Sequence, residues 1–324
     1  MNGSMLKPQQ GVAIITAMLI VALVAVIAVA LLSKGNIHVH RTENVLVRDQ
    51  SSFYCIGAER LAALILLADT DFDVDGATDF WAQPATPLPF EGGMITGQIS
   101  DRQAKFNLNS LLDGNGQARA PDSEQVIFFK NLISSLGLDP KILGYVIDWI
   151  DTDTTPYAGG GAEDATYMLS ENPYRTANQP LTDISELRLI KGFEAVQDPD
   201  PYEIIRPFVT ALPELTTKIN LNTAPKEILK ALNPAITDNM VTTFMQDRTD
   251  APITKVGDFA GLLPPGTVSS NSTLIGVKSD YYQLETQIDF GERQLLYTSF
   301  LKREPPNRVT TLMRKPGIEY DETS

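Results

Sequence analysis

The sequence of 324 residues contains one cysteine, Cys55, and two histidines, His38 and His40. One cysteine excludes an internal disulfide and a Cys-based metal site, and Cys55 reads as a buried apolar residue. Both histidines sit just beyond a hydrophobic run, which excludes histidine catalysis and zinc binding in the body of the chain. There is no Gly-x-Ser-x-Gly elbow, phosphate loop or His-Glu-x-x-His. No catalytic residue is assigned, and the chain is not expected to be an enzyme. Basic residues are scarce, 26 Lys and Arg against 40 Asp and Glu, for a net charge of −14. A nucleic-acid surface needs clustered Lys and Arg, so that balance argues against one. Acidity by itself favours solubility and names no partner.

What is present begins with Val12 to Leu32, a run with no charge, Pro or Gly and a single hydroxyl, Thr16. As a helix it is roughly 30 Å long, the thickness of a bilayer core. In lipid the backbone must satisfy its own hydrogen bonds, so a helix is expected. The run exceeds the roughly 7–15 residues of a secretory h-region. Beyond it Val45, Phe53, Ile56, Leu61, Leu64 and Ile65 recur at helical spacing, which predicts one helix to about residue 68. Its amphipathic half needs a sheet or other helices to cover it.

An acidic loop, ADTDFDVDGATDF, and a Pro-rich stretch follow. MITGQISDRQAKFNLNSLL then alternates like strands joined by a turn near Ser100–Asp101. From Ser123 to about Leu263 short helical pieces recur, including SEQVIFFKNLISSLG, DPKILGYVIDWID, PLTDISELRLIKG, PKEILKALN and TDNMVTTFMQDR. YYQLETQIDF, RQLLYTSFLKRE and NRVTTLMRK return to strand character. Strands on both sides of a helical block predict an α+β fold, with one antiparallel sheet completed from both ends and packed on the long helix.

Lys7 to Ser33 resembles a type IV pilin-like leader: Lys7, then Gly11, then an unbroken hydrophobic helix. The body resembles the K subunit of type II secretion systems, the large minor pseudopilin. The resemblance rests on DFWAQP (79–84), EGG (91–93), DRQAKFNLNSLLD (101–113), DWIDTD (148–153), GAEDATY (161–167), NPYRTANQPLTDISELRLIKGF (172–193) and INLNTAPKEIL (219–229). It implies cleavage by prepilin peptidase after Gly11 and methylation of Val12. It implies a pilin-like fold carrying a large inserted all-α domain with helix-hairpin-helix or SAM-like units. The expected divisions are a leader at 1–11, an assembly helix at 12–33, pilin-like parts at 34–115 and 271–324, and the insertion at 116–270. The implied place is the bacterial inner membrane, single-pass, with the body in the periplasm at the pseudopilus tip. The implied partners are minor pseudopilins I and J and the major pseudopilin, with exported cargo as a further candidate. Pilin-like subunits usually carry Glu at the fifth mature position, where this chain has Thr16. A Glu in lipid requires a partner; without one, this subunit has no earlier neighbour to dock onto. Read without the family, Thr16 is a hydroxyl bonding its own helix backbone.

Asp148, Asp151, Asp153, Glu163 and Asp164 form the leading metal candidate, with Asn178 as a further carbonyl donor. Calcium takes several oxygen ligands, and packed carboxylates repel unless a cation neutralises them. Gly159, Gly160 and Gly161 would let the backbone fold back. A solvated acidic loop is the plain alternative; the resemblance favours calcium, because K subunits bind it in this insertion, as one ion or two. Asp71, Asp73, Asp75, Gly76 and Asp79 match half of an EF-hand loop, but Ala82 stands where its bidentate Glu belongs. A solvated turn is expected there. INLNTAPKEILKALNPAITDNMVTTFMQDR resembles a helix-hairpin-helix, and a membrane-anchored periplasmic DNA-binding protein is the alternative function. Its hairpin lacks glycine, and Pro234 removes a donor, so a packing scaffold is the preferred reading. A tethered hydrolase using the clustered carboxylates is the third.

Overall fold

The computed structural model describes residues 10–69, 71–194, 198–291 and 293–317. The longest element is α1 (Gln10–Leu67), a single helix of 58 residues. Gly11 and Val12 lie in its first turn and Thr16 is exposed on it, while residues 1–9 of the expected leader lie outside the described residues. Two compact units are distinguished, one ending at Ile56 and one beginning at Gly57. In the first, Ile14–Gly35 has a mean hydropathy of 3.1 and buries nothing; it is the one helix, among the described residues, long and apolar enough to cross a membrane. It fits a single-pass anchor.

The second unit is built on a five-stranded antiparallel sheet. Its strands are β1 (Leu88–Phe90), β2 (Gly93–Asp101), β7 (Tyr281–Phe290), β8 (Arg293–Glu304) and β9 (Arg308–Pro316), in the spatial order β1-β2-β7-β8-β9. Strands from both ends of the chain therefore meet at β2–β7, where Ile99 faces Leu284. Gly291 at φ 58 makes the tight turn between β7 and β8, a left-handed position that glycine takes without strain. Ala62 and Leu66 on the end of α1 pack on Trp81, Ile99, Tyr282, Leu284 and Leu301. A buried carboxylate on the same helix, Glu59, accepts from Arg314 Nη2 of β9 at 2.6 Å.

Between β2 and β7 the chain builds a second core. Two parallel two-residue pairs cross it: β3 (Phe106–Asn107) with β4 (Val209–Thr210), and β5 (Ile219–Asn220) with β6 (Ile275–Gly276). The helices are α2 (Glu124–Ser135), α3 (Ile142–Ile150), α4 (Asp164–Tyr167), α5 (Pro201–Ile205), α6 (Lys226–Ala231), α7 (Asp238–Asp250) and α8 (Val256–Gly261). Ser123 caps α2 by accepting from Val126 N, and Thr237 caps α7 by accepting from Met240 N, satisfying amide groups that the first turn leaves unpaired. Phe129, Leu132, Ile147, Ile150, Leu187 and Ile228 are among the buried side chains.

Three local expectations are corrected. The stretch expected to be all-helical carries β4 and β5. PLTDISELRLIKG forms a 3-10 helix, Ile184–Leu189, held by an Asp183–Glu186 capping box, rather than an α-helix. The turn expected near Ser100–Asp101 falls later, at Arg102–Ala104, and β3 does not return along β2. Asp101 accepts from Gln103 N at 2.7 Å, and Asn107 accepts from Leu212 N at 3.0 Å and donates to Glu214 O at 2.7 Å. These side-chain bonds draw β3 away from the sheet and into the second core.

Candidate metal centre

The acidic residues are gathered by the end of α3, the glycine loop after it, and α4. Helix α3 is apolar enough to be almost wholly buried, and it carries Asp148 inward with it. Asp151 ends the helix, its N–H donating to Ile147 O at 2.9 Å. Thr152 is gripped by the loop 113–117: its N–H donates to Gly116 O at 3.1 Å and its hydroxyl accepts from Gln117 Nε2. That loop is itself closed by Asp113, which accepts from Asn115 N and Gln117 N. Clamping Thr152 fixes the carboxylates on either side of it.

Asp151, Asp153 and Glu163 each bring a carboxylate oxygen within 4.8 Å of the others. Asp148, Asp151 and Glu163 are 0, 2 and 5% exposed, too little for water to screen their repulsion. Asp148 Oδ1 accepts from Tyr157 N at 2.8 Å. Asp148 Oδ2, Asp151 Oδ1, both Glu163 oxygens and Asn178 Oδ1 are buried without a hydrogen-bond donor. Burial and then repulsion from Asp153, Asp148 and Glu163 push the Asp151 carboxyl up to about 7. Burial, Asp148 and Asp153 push Glu163 up to about 7 as well, and burial raises Asp148. Orphaned buried acceptors are rare and costly. Orphaned carboxylate oxygens gathered in this way suit a hard cation, which takes six to eight oxygen ligands.

The glycines serve this geometry. A Cβ on Gly161 would lie 1.9 Å from Asp148 Oδ2 and 2.5 Å from Tyr157 N. Gly160 takes φ 135, open to glycine and not to other residues. Asn178 has φ 47 and donates its N–H to Trp149 O at 3.0 Å; its conformation is one that Asn tolerates. Asp164 is held differently, accepting from Thr176 N and Oγ1 at 3.0 and 2.9 Å. It tethers the 164–176 loop beside the cluster. Tyr167 and Tyr174 pack that loop edge-on to Trp149. The roles of loop 113–117 and Thr152 were not legible in the sequence; the only signal was the turn-forming DGNGQ.

The other sequence candidates resolve otherwise. Asp69, Asp75 and Asp79 also converge, but Asp75 is buried, not solvated, and Arg303 Nη2 bonds both its oxygens. At the hairpin between α6 and α7, Lys226 and Lys230 both pair with Asp238, at 2.7 and 3.2 Å. Asp238 offsets one of these two positive charges, and its carboxylate competes with a phosphate for both ammonium groups.

A long apolar helix leading into a helix-on-sheet body, with a helical stretch between the strands, defines a pseudopilin. The family described as Type II secretion system (T2SS), protein K, matches residues 104–214 and again 219–278. The protein K of Pectobacterium carotovorum subsp. carotovorum is 34% identical, over 90% of this chain and 93% of that one. That of Pseudomonas aeruginosa is 31% identical, over 97% and 94%. A chain of the GspK-GspI-GspJ complex of enterotoxigenic Escherichia coli superposes with a TM-score of 0.73 at 28% identity, over 86% of this chain and all of that one. The chain belongs to the type II secretion system protein K family, and its role is that of a minor pseudopilin in secretion.

Proposed function

We propose that this chain caps the tip of the periplasmic pseudopilus and helps to start its assembly for export across the outer membrane. The carrying observation is its likeness to a chain found in complex with GspI and GspJ, which makes minor pseudopilins I and J the first partners. The major pseudopilin follows below them, and exported cargo meets the tip. Prepilin peptidase cleaves after Gly11, Val12 is methylated, and α1 anchors the chain in the inner membrane with its body in the periplasm. Thr16 in place of an acid suits the first subunit, which docks onto no earlier one. Mass spectrometry of the mature N-terminus tests the leader: N-methyl-Val12 supports it, and cleavage beyond Leu32 overturns it.

The same reading assigns residues 34–115 and 271–324 to the pilin-like body, and 116–270 to an inserted domain in which α6, its hairpin and α7 act as a helix-hairpin-helix packing scaffold. It assigns no enzymatic activity. Calcium is the cation we assign to Asp151, Asp153 and Glu163, with Asp148 and Asn178 completing the oxygen set and Asp164 orienting the loop. Its support is the five orphaned acceptor oxygens. Bound there, the ion neutralises three crowded carboxylates and joins α3 to α4.

A further inference from the structure

A cleft of about 370 Å³ opens where the end of β2 meets α7 and the Pro225 turn before α6, away from the carboxylate cluster. Its apolar walls include Trp81, Ile99, Pro225 and Met245, and Arg248 stands among them. Arg248 Nη1 donates to Leu221 O at 2.5 Å, and the guanidinium lies 5.6 Å from the centre of the Phe244 ring. Its other donors have no partner among the described residues, yet they are not sealed from solvent. Burial pushes this guanidinium down to about 10.

That isolation is unusual in this chain. Acids outnumber bases 40 to 26, and most other half-buried arginines have found one: Arg188 with Asp200, Arg206 with Glu203, Arg314 with Glu59. Arg102 and Lys105 add positive charge to the same cleft. Asp101 lines it too, but its Oδ1 accepts from Gln103 N and its Oδ2 from Asn220, Thr223 and Ser279. A planar guanidinium presents a fork that matches a carboxylate. The volume lies within the range of a ligand pocket. Half-desolvated arginines between apolar walls are typical anchor points for partner proteins.

We infer that this cleft docks an acidic polypeptide segment of a partner, an Asp or Glu side chain meeting Arg248 while a neighbouring apolar side chain lies against Trp81 and Met245. Charge complementarity selects the carboxylate, and the apolar walls select a peptide over a small free anion. The inference stands apart from the cation site and from tip capping.

The test is fluorescence anisotropy on the full chain in nanodiscs, with Leu-Asp-Glu-Leu-amide carrying fluorescein on its N-terminal amine as probe. The probe binds saturably. Arg248→Gln weakens it about tenfold, the loss expected for one charged hydrogen-bonded pair. Ala77→Trp, at the exposed rim, blocks it, and the Leu-Asn-Gln-Leu isostere binds about tenfold more weakly to the unaltered chain. Equal affinity in a folded Arg248→Gln variant overturns the inference. So do equal affinity for the isostere, no saturation at millimolar probe, and displacement of the probe by equimolar inorganic phosphate. If Arg248→Gln fails to fold, the isostere and Ala77→Trp arms decide.

Discussion

Arg303 Nη2 lies 2.6 Å from Asp75 Oδ2, with both side chains wholly excluded from solvent. Tyr282 donates its hydroxyl to Asp75 Oδ1 at 2.7 Å and Ser279 its N–H to Oδ2 at 2.8 Å. The pair ties the loop after α1 to β8 and to the entry of β7. Removing one member of such a pair leaves a buried charge uncompensated, at about 3–5 kcal/mol. Arg303→Met should lose that much in urea unfolding, and Asp75→Asn combined with it should recover part. A double variant whose loss equals the sum of the two single losses would show that the pairing contributes nothing.

Stability should depend on pH through the carboxylate cluster. Asp151 and Glu163 have folded-state values near 7, above their ordinary 3.8 and 4.5. Groups raised in the folded state contribute stability that is complete below their unfolded values and lost as pH rises through the folded ones. In chelator the chain should therefore lose stability between about pH 4 and 7 from these groups. Calcium binds the deprotonated cluster, so its rise in Tm should be larger at pH 8 than at pH 5. A rise that is constant with pH would contradict this.

Glu163→Gln separates repulsion from ligation. Without calcium it removes a charge repelled by Asp148 and Asp153, and Tm should hold or rise. With calcium it lacks a ligand, and the stabilisation by mass action, about 2.7 kcal/mol at a hundredfold excess over Kd, should shrink sharply. A variant less stable in chelator yet fully responsive to calcium would refute the assignment.

Gly161→Ala places a methyl within 1.9 Å of Asp148 Oδ2 and 2.5 Å of Tyr157 N. One contact is with backbone, which cannot swing aside. Tm should fall in chelator and the calcium response should be lost, whereas Gly159→Ala, with no atom within 4 Å of its added carbon, should strain only its own backbone at φ 108 and keep the response. Equal responses in both variants would dissociate Gly161 from the cluster.

The β7–β8–β9 meander was legible from its β-branched and aromatic runs, and the long helix from an unbroken run of helix formers; its packed face was not, since Val45, Phe53, Leu61 and Leu64 of the expected stripe are exposed and Ala62 and Leu66 meet the sheet instead. The path between Asp101 and Asn107 was not legible: alternation suggested a hairpin, and the bonds that Asp101 accepts from the Thr223 hydroxyl and Asn107 from the Leu212 amide overrode it. The carboxylates at 148–164 were legible as a cluster, since crowded acids are conspicuous in a sequence. What stayed hidden was long-range, such as the grip of the 113–117 loop on Thr152, the partner of Asp75 more than two hundred residues away, and the unpaired Arg248 in an acidic chain. Those depend on which surfaces meet, and no local pattern records that.

A tip subunit of the proposed kind joins minor pseudopilins I and J in one complex. Native mass spectrometry of the chain co-expressed with both tests it most directly. The expected species is a complex with one copy of each, in which this chain never appears twice. A chain that self-associates, or stays alone while I and J pair, would contradict it.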